Sequence, residues 1–255
     1  MRAAILLCLL AVPVAVGLLG DPLATDMRAV LLPPSPEHPL GTDALGRDVL
    51  ARVAAGAVTS LGAAGLALVV SALIGLAVGA ATGWSGGRGA AVVRALVDVA
   101  AALPPLIVAL VAGLVAGPGW TTLLLALIAV GWLPFARQAD ALTASLRTRQ
   151  WVLAHRAMGA GTLRIWWRSL LPELLPPVGA LAVVRLPALI NTVAALGFLG
   201  LGPPPPAPEW GAMLAASVDH LGVAPWLLAA PLAALVVAQF LIAALPFGRR
   251  TDRGG

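Results

Sequence analysis

Between Asp98 and Arg137 the chain runs for 38 residues, Val99 to Ala136, without one charged side chain. About 20 apolar residues suffice for a helix to cross the hydrocarbon core of a bilayer. The stretch is therefore too long for a single span and far too uncharged for a soluble core. Gly117-Pro118-Gly119 lies near its middle and makes a tight turn. The stretch thus predicts a helical hairpin, with helices near 91–116 and 120–138. Other apolar runs cover residues 3–20, 61–83, 174–200 and 221–247, which gives six spans in all. The composition agrees, with 60% of residues hydrophobic and 11% charged. A soluble domain of this length needs more polar residues to cover its surface. The first run has the shape of a signal peptide, but no small-x-small cleavage site follows it, so it is expected to remain as the first helix.

Every one of the sixteen basic residues is Arg. Without Lys the chain cannot build a G-x-x-x-x-G-K-[ST] phosphate loop, whose Lys bridges the phosphates. Any ATP that drives this protein must be hydrolysed on another chain. With six spans, twelve arginines fall on the face that holds both termini and the 139–173 segment, and three fall on the other. The positive-inside rule then makes both termini cytoplasmic. It also accounts for the net charge of +5 without nucleic acid. Cys8 is the single cysteine, so no disulfide forms within the chain, and His38, His155 and His220 lack metal-ligand spacing.

Within the spans Gly75, Gly79 and Gly83 recur every fourth residue, which puts them on one helix face and favours close helix approach. Arg94 and Asp98 stand four apart and can pair along their helix. Asp98, Arg185 and Asn191 are polar residues in or beside spans and are candidates for lining a pathway. Residues 21–52 carry five acids and are broken by Pro33, Pro34, Pro36 and Pro39, and are expected to form an external loop leading to a short helix around Arg47, capped by Thr42 or Asp43.

The 139–173 segment is polar and basic. It predicts a helix to Met158, a break at Gly159-Ala160-Gly161, and a second short helix capped by Thr162. In that second helix Leu163, Trp166, Trp167 and Leu170 form an apolar stripe at i, i+3, i+4 and i+7, with Arg164 and Arg168 on another face. Such a pair of helices suits either an anionic lipid surface or a partner protein.

Aligned on Gly159, the segment resembles the EAA loop of ABC importer permeases. Leu153-Ala154-His155 stands for the E-A-A, and Leu171-Pro172 closes the pattern. His38-Pro39-Leu40-Gly41-Thr42-Asp43, followed by Gly46-Arg47-Asp48 and Arg52, resembles the H-P-x-G-T-D-x-x-G-R-D-x-x-x-R stretch of the dipeptide, oligopeptide and nickel permeases. Gly197-Phe198-Leu199-Gly200-Leu201-Gly202 is similar to their S-F-L-G-L-G. Pro208-Glu209-Trp210-Gly211 with Met213-Leu214 is similar to their P-x-W-G-x-M-L. The departures are Leu153 and His155 in the E-A-A, Ser169 at the Ile position, Val193 where that group often has Glu, a tail without G-D-x-x-R-D, and Arg185 within the fifth span.

The resemblance implies an all-α membrane protein of the ABC importer permease fold in a bacterial plasma membrane. Residues 1–60 would form the first span, outer loop and short helix, residues 61–247 a five-helix core with its coupling loop at 139–173, and residues 248–255 a cytoplasmic tail. It implies a non-catalytic permease that encloses half of a pathway for peptides or related solutes, nickel complexes among them. The partners it implies are a second permease, two ATPases holding ATP and Mg, an extracytoplasmic solute-binding protein and membrane lipid. Coupling would fall to Ala154, Arg156, Gly159, Ala160, Thr162, Arg164, Leu171 and Pro172. The outer motif residues are Gly41, Thr42, Asp43, Gly46, Arg47, Asp48, Trp210 and Gly211. A stand-alone secondary transporter would carry ionisable groups near mid-membrane, and here the charged groups sit near span ends. An intramembrane enzyme would need a nucleophile with a base or a metal motif such as H-E-x-x-H, and neither is present. A structural scaffold remains compatible with composition alone.

Overall fold

The computed structural model describes residues 20–244. The expected first span, Cys8 and the expected tail lie outside the described residues. Helices dominate, and the described residues contain no sheet, only an isolated bridge between Thr42 and Asp48. The long elements are α1 (Val49–Ser85), α2 (Gly87–Ala102), α3 (Pro105–Ala116), α4 (Trp120–Gly131) and α5 (Leu133–Leu146). They are followed by α6 (Gln150–Ala157), α7 (Thr162–Ile165), a π-helical turn (Trp166–Leu170), α8 (Leu171–Phe198), α9 (Trp210–Ser217) and α10 (Trp226–Ala243).

Four stretches are long and apolar enough to cross a membrane: Val49–Ser85, Trp120–Leu146, Thr162–Phe198 and Trp226–Ala243. The pair α2 and α3 makes a fifth if its 85° bend is counted within one span. The single straight helix expected over 91–116 is therefore corrected. Pro104 and Pro105 follow one another, and a residue before proline is driven out of the α region. Leu103 accordingly sits at φ −74°, ψ 130°, and the helix stops there. The turn at Gly117 and Gly119 stands where expected, both with positive φ, and α4 starts at Trp120.

The short outer helix around Arg47 is also absent. Arg47 follows a turn at Ala44 and Leu45 in irregular chain, and α1 starts at Val49 and continues unbroken for 37 residues. Its cap is Asp48, whose Oδ1 accepts from Ala51 N at 2.9 Å, rather than Thr42 or Asp43. Both of those are engaged within the preceding loop.

The chain divides into two compact units. The first comprises residues 20–64, 113–123 and 187–244, and the second residues 65–112 and 124–186. In the first, Val49, Ala224, Leu227 and Ala230 form a buried cluster joined by Leu31, Leu40, Val53 and Trp226. In the second, Ala80, Leu170 and Leu174 are buried together with Trp84, Leu142, Leu146 and Trp166 against them. Many large apolar side chains on the long helices stay exposed, among them Leu73, Leu96, Val99, Leu114 and Phe240. That is the pattern of helices whose outer faces meet lipid.

Candidate functional site

In the second unit α1 and α5 approach until only glycine fits between them. A Cβ on Gly75 would lie 2.5 Å from both Phe135 Cβ and the Trp132 carbonyl oxygen, one on Gly79 would overlap the Ala136 carbonyl, and one on Gly83 would overlap the Asp140 carbonyl. The four-residue spacing read from the sequence thus marks one contact face. Beside it, α2 is tied to α5 by two ion pairs. Arg94 donates through Nε and Nη2 to both oxygens of Asp140, at 2.7 and 2.8 Å. Arg137 reaches Asp98 at 2.8 Å. The expected Arg94–Asp98 pair is replaced by these two, because α5 brings a partner of opposite charge to each residue in bidentate or near-bidentate geometry.

The elbow after α5 follows from local chemistry. Helix α6 ends in a Schellman motif, with Gly159 N donating to Arg156 O and Ala160 N to His155 O, each at 2.9 Å. That motif needs a left-handed residue, and Gly159 supplies it at φ +79°. Thr162 does not cap: Gly161 holds that position and no side chain bonds to the helix start. The chain then runs on through the π turn, where Leu171 N reaches Trp166 O, into α8. Pro172 has no N–H to give the ladder, and a wider turn just before it absorbs the loss.

The π turn also corrects the expected stripe. Trp166 and Leu170 pack inward together with Ile165, while Leu163 and Trp167 remain 72% and 66% exposed. An i to i+5 turn shifts the register by one residue, so a 3.6-residue stripe cannot stay on one face through it.

The inner side of the elbow is held by Trp84 at the end of α1. Trp166 meets its ring edge to face with centroids 6.1 Å apart, and the Arg156 guanidinium sits 4.6 Å from its centroid. Arg147 Nη1 donates to Trp84 O at 3.2 Å. Val152 is wholly buried beneath α6. The outer side presents Leu153, Met158, Leu163 and Trp167, with Ala154, Gly159, Thr162, Arg164 and Pro172 exposed around them and Ala160 and Leu171 half-buried. Between α6 and the next helical segment opens a cavity of about 270 Å³ lined by His155, Met158, Arg164 and Arg168. The buried Nδ1 of His155 has no partner among the described residues.

In the first unit the outer motif residues come together around the start of α1. Thr42 donates to Ala29 O and accepts from Leu32 N, and its carbonyl accepts from Trp226 Nε1 at 3.2 Å. Gly41, at φ +74°, lies against Leu32 O and the Trp226 ring, where a Cβ would collide. Gly46 lies as tightly against the Asp26 backbone. Asp43 binds Arg47 and Arg52, and Asp48 binds His38 Nδ1 at 2.9 Å.

Trp210 donates to Val53 O, and Gly211 lies against the Ala194 carbonyl with no room for a Cβ. Asn191 Oδ1 accepts from Gln239 Nε2 at 2.8 Å. Arg185 lies half-exposed on α8, away from every ion pair formed among the described residues.

Sequence reasoning missed Glu209. It is wholly buried, caps α9 by accepting from Gly211 N and Ala212 N, and receives the Ser60 hydroxyl at 2.9 Å. Burial pushes its carboxyl above the usual carboxylate range, and these three donors pull it part of the way back. The signal was an acid at the variable position of P-x-W-G, followed by small residues that let its helix end close in.

Residues 73–248 match the family described as binding-protein-dependent transport system inner membrane component. The chain belongs to this family. Among its relatives is the di/tripeptide transport system permease protein DppC of Pseudomonas aeruginosa, 38% identical over 75% of this chain and 63% of its own length. The nickel transport system permease protein NikC of Escherichia coli K12 is 36% identical over 76% of this chain and 70% of its own. A putative peptide permease of Brucella suis is 37% identical over 94% and 83%. The chain thus spans less than two thirds of the Pseudomonas relative's length. A chain in an inward-facing structure of the MetNI methionine ABC transporter superposes with a TM-score of 0.62 at 22% identity, covering 75% of this chain and 91% of that one. The inner membrane component fold therefore extends to this chain; the elbow, Trp210 and Gly211 fall within the matched region, and Gly41 to Asp48 lie ahead of it.

Proposed function

We propose that the chain is a permease subunit of an ABC importer, forming half of a pathway for peptides or related small solutes, and that it takes its motion from an ATPase docked on the α6 elbow. The observation that carries this is the two-sidedness of the elbow. Its inner face is held to Trp84 by a cation–π contact and an aromatic contact, with Val152 buried beneath α6, while its outer face offers four exposed apolar side chains, with Arg164 and Arg168 exposed on the same segment. A short helix of that kind seats in a groove on a partner. Displacement of the elbow would be transmitted through Trp84 to α1 and through α5 along the glycine face.

Family membership and the peptide and nickel transport named for the relatives support a solute of that class. ATP and Mg would sit on the ATPases, and a second permease, an external solute-binding protein and the surrounding lipid would complete the assembly. The arginine bias supports both termini and the elbow facing the cytoplasm of a bacterial plasma membrane.

Copurification tests the coupling role. Tagged and extracted in detergent from its native host, the wild-type chain is expected to bring down a P-loop ATPase. Gly159→Val forces a β-branched residue to φ +79° and is expected to lose most of that ATPase while membrane insertion persists. Full ATPase recovery with Gly159→Val would reject the coupling role.

A further inference from the structure

In the first unit a cavity of about 70 Å³ opens beside the start of α1, lined by Asp43, Arg47, Arg52, Met213, Ser217 and His220 among others. That is room for a few waters or one carboxylate. Its charges do not balance. Among the described residues Asp43 is the single acid in the lining, and it serves both arginines, accepting from Arg47 Nε at 2.7 Å with Arg52 Nε at 3.3 Å. Its Oδ1 is further occupied by Leu45 N and Arg47 N. Asp48 is engaged by His38 and by the start of α1.

Arg52 is only 8% exposed, and beyond Asp43 its contact is a long one, 3.4 Å from Nη1 to Pro22 O. A guanidinium this far from water normally has a carboxylate to itself, because an underpaired buried charge is costly. Here two guanidiniums share one carboxylate. The apolar walls at Met213 and Leu227 suit a short hydrocarbon stem behind an anionic head.

We propose that this cavity is a binding niche for the carboxylate of a small solute, with Arg52 and Arg47 as the ligating groups and Asp43 as a built-in competitor that keeps the affinity low. A carboxylate entering between the arginines supplies the missing negative charge in the geometry that guanidinium forks favour. Low affinity fits a site that must release what it binds. The proposal deepens the importer reading by naming a solute chemistry, and rests on that reading only for the solute being cargo.

The full chain in nanodiscs, at low salt, tests it by saturation-transfer NMR with N-acetylglycine as probe and N-acetylglycinamide as the uncharged control. The acid is expected to show transfer and the amide none. Asp43→Asn keeps the Oδ1 acceptor and removes the competing charge, and is expected to tighten N-acetylglycine binding about tenfold. A purely structural Asp43 predicts the reverse. Arg52→Gln is expected to abolish transfer and Arg52→Lys to retain part of it. Equal transfer from acid and amide, or no tightening by Asp43→Asn, overturns the niche. Gly159→Val leaves this signal unchanged, so failure of the coupling role and failure of the niche are read separately.

Discussion

Glu209 is the one fully buried acid among the described residues, and it has no cation to meet it. It holds three donors from two elements: Ser60 on α1, and the first N–H groups of α9. The Ser60 hydroxyl in turn accepts from Trp210 N at 3.1 Å, so a single carboxyl ties the start of α9 to α1. Glu209→Ala strands those donors in a dry site and should cost about 2 kcal/mol or more. A fall in apparent melting temperature in nanodiscs, followed by tryptophan fluorescence, measures this. The pH dependence has a definite sign. With its folded pKa raised above the ordinary 4.5, the folded state holds the proton longer than the unfolded state does. The contribution of Glu209 to stability is then greatest below about pH 4.5 and declines as pH rises through the raised folded value. Glu209→Gln cannot titrate, so the stability of wild type relative to Glu209→Gln should decline over that window. A difference that grows with pH would contradict the burial argument.

At the scale of elements, much was legible because spacing and sterics act locally. Gly75, Gly79 and Gly83 were readable as a face, Gly117 and Gly119 as a turn, and Gly159 as the break of the elbow, since each depends on backbone geometry that glycine alone adopts or permits. What failed was whatever needed a neighbour. Arg94 and Asp98 satisfy the i, i+4 rule, yet each finds a better partner on α5. The Leu163 to Leu170 stripe assumed a regular helix, and the π turn before Pro172 rotated half of it outward. Glu209 went unread because its burial depends on Ser60, 149 residues away in sequence, and on the close approach of Gly197 and Gly202. The glycine face supplies its own control. Gly79→Ala places a methyl group into the Ala136 carbonyl and should force α1 and α5 apart at a cost of about 1–3 kcal/mol. Gly65, on the same helix, has nothing within 4 Å of a Cβ, and Gly65→Ala should be neutral or stabilise by up to about 1 kcal/mol through helix propensity. Melting temperatures of the two variants, run side by side, separate a contact face from a general intolerance of larger residues.

For the whole molecule, the direction in which the chain is threaded through the bilayer decides whether the elbow can receive an ATPase and whether the arginine niche can meet a solute from outside. The two ends of α1 carry the question. Val49 follows the outer motif with its Arg47 and Asp43, whereas Ser85 follows Trp84, which anchors the elbow. A helix of 37 residues at about 1.5 Å per residue is ~55 Å long, more than the ~30 Å hydrocarbon core, and so is long enough to cross it. On the orientation proposed above, the Ser85 end lies inside, because each translocated arginine opposes the membrane potential and the anionic inner surface. Arg149, exposed between α5 and α6, reports that end directly. In a Cys8→Ser background, Arg149→Cys should resist a membrane-impermeant maleimide on intact cells and react once the membrane is permeabilised, while a cysteine at Glu37 in the outer loop should react from outside in both conditions. Labelling of Arg149→Cys on intact cells would invert the protein. The elbow would then face away from ATP, and the exposed side chains of Leu153, Met158, Leu163 and Trp167 would need an external partner or a lipid surface to cover them.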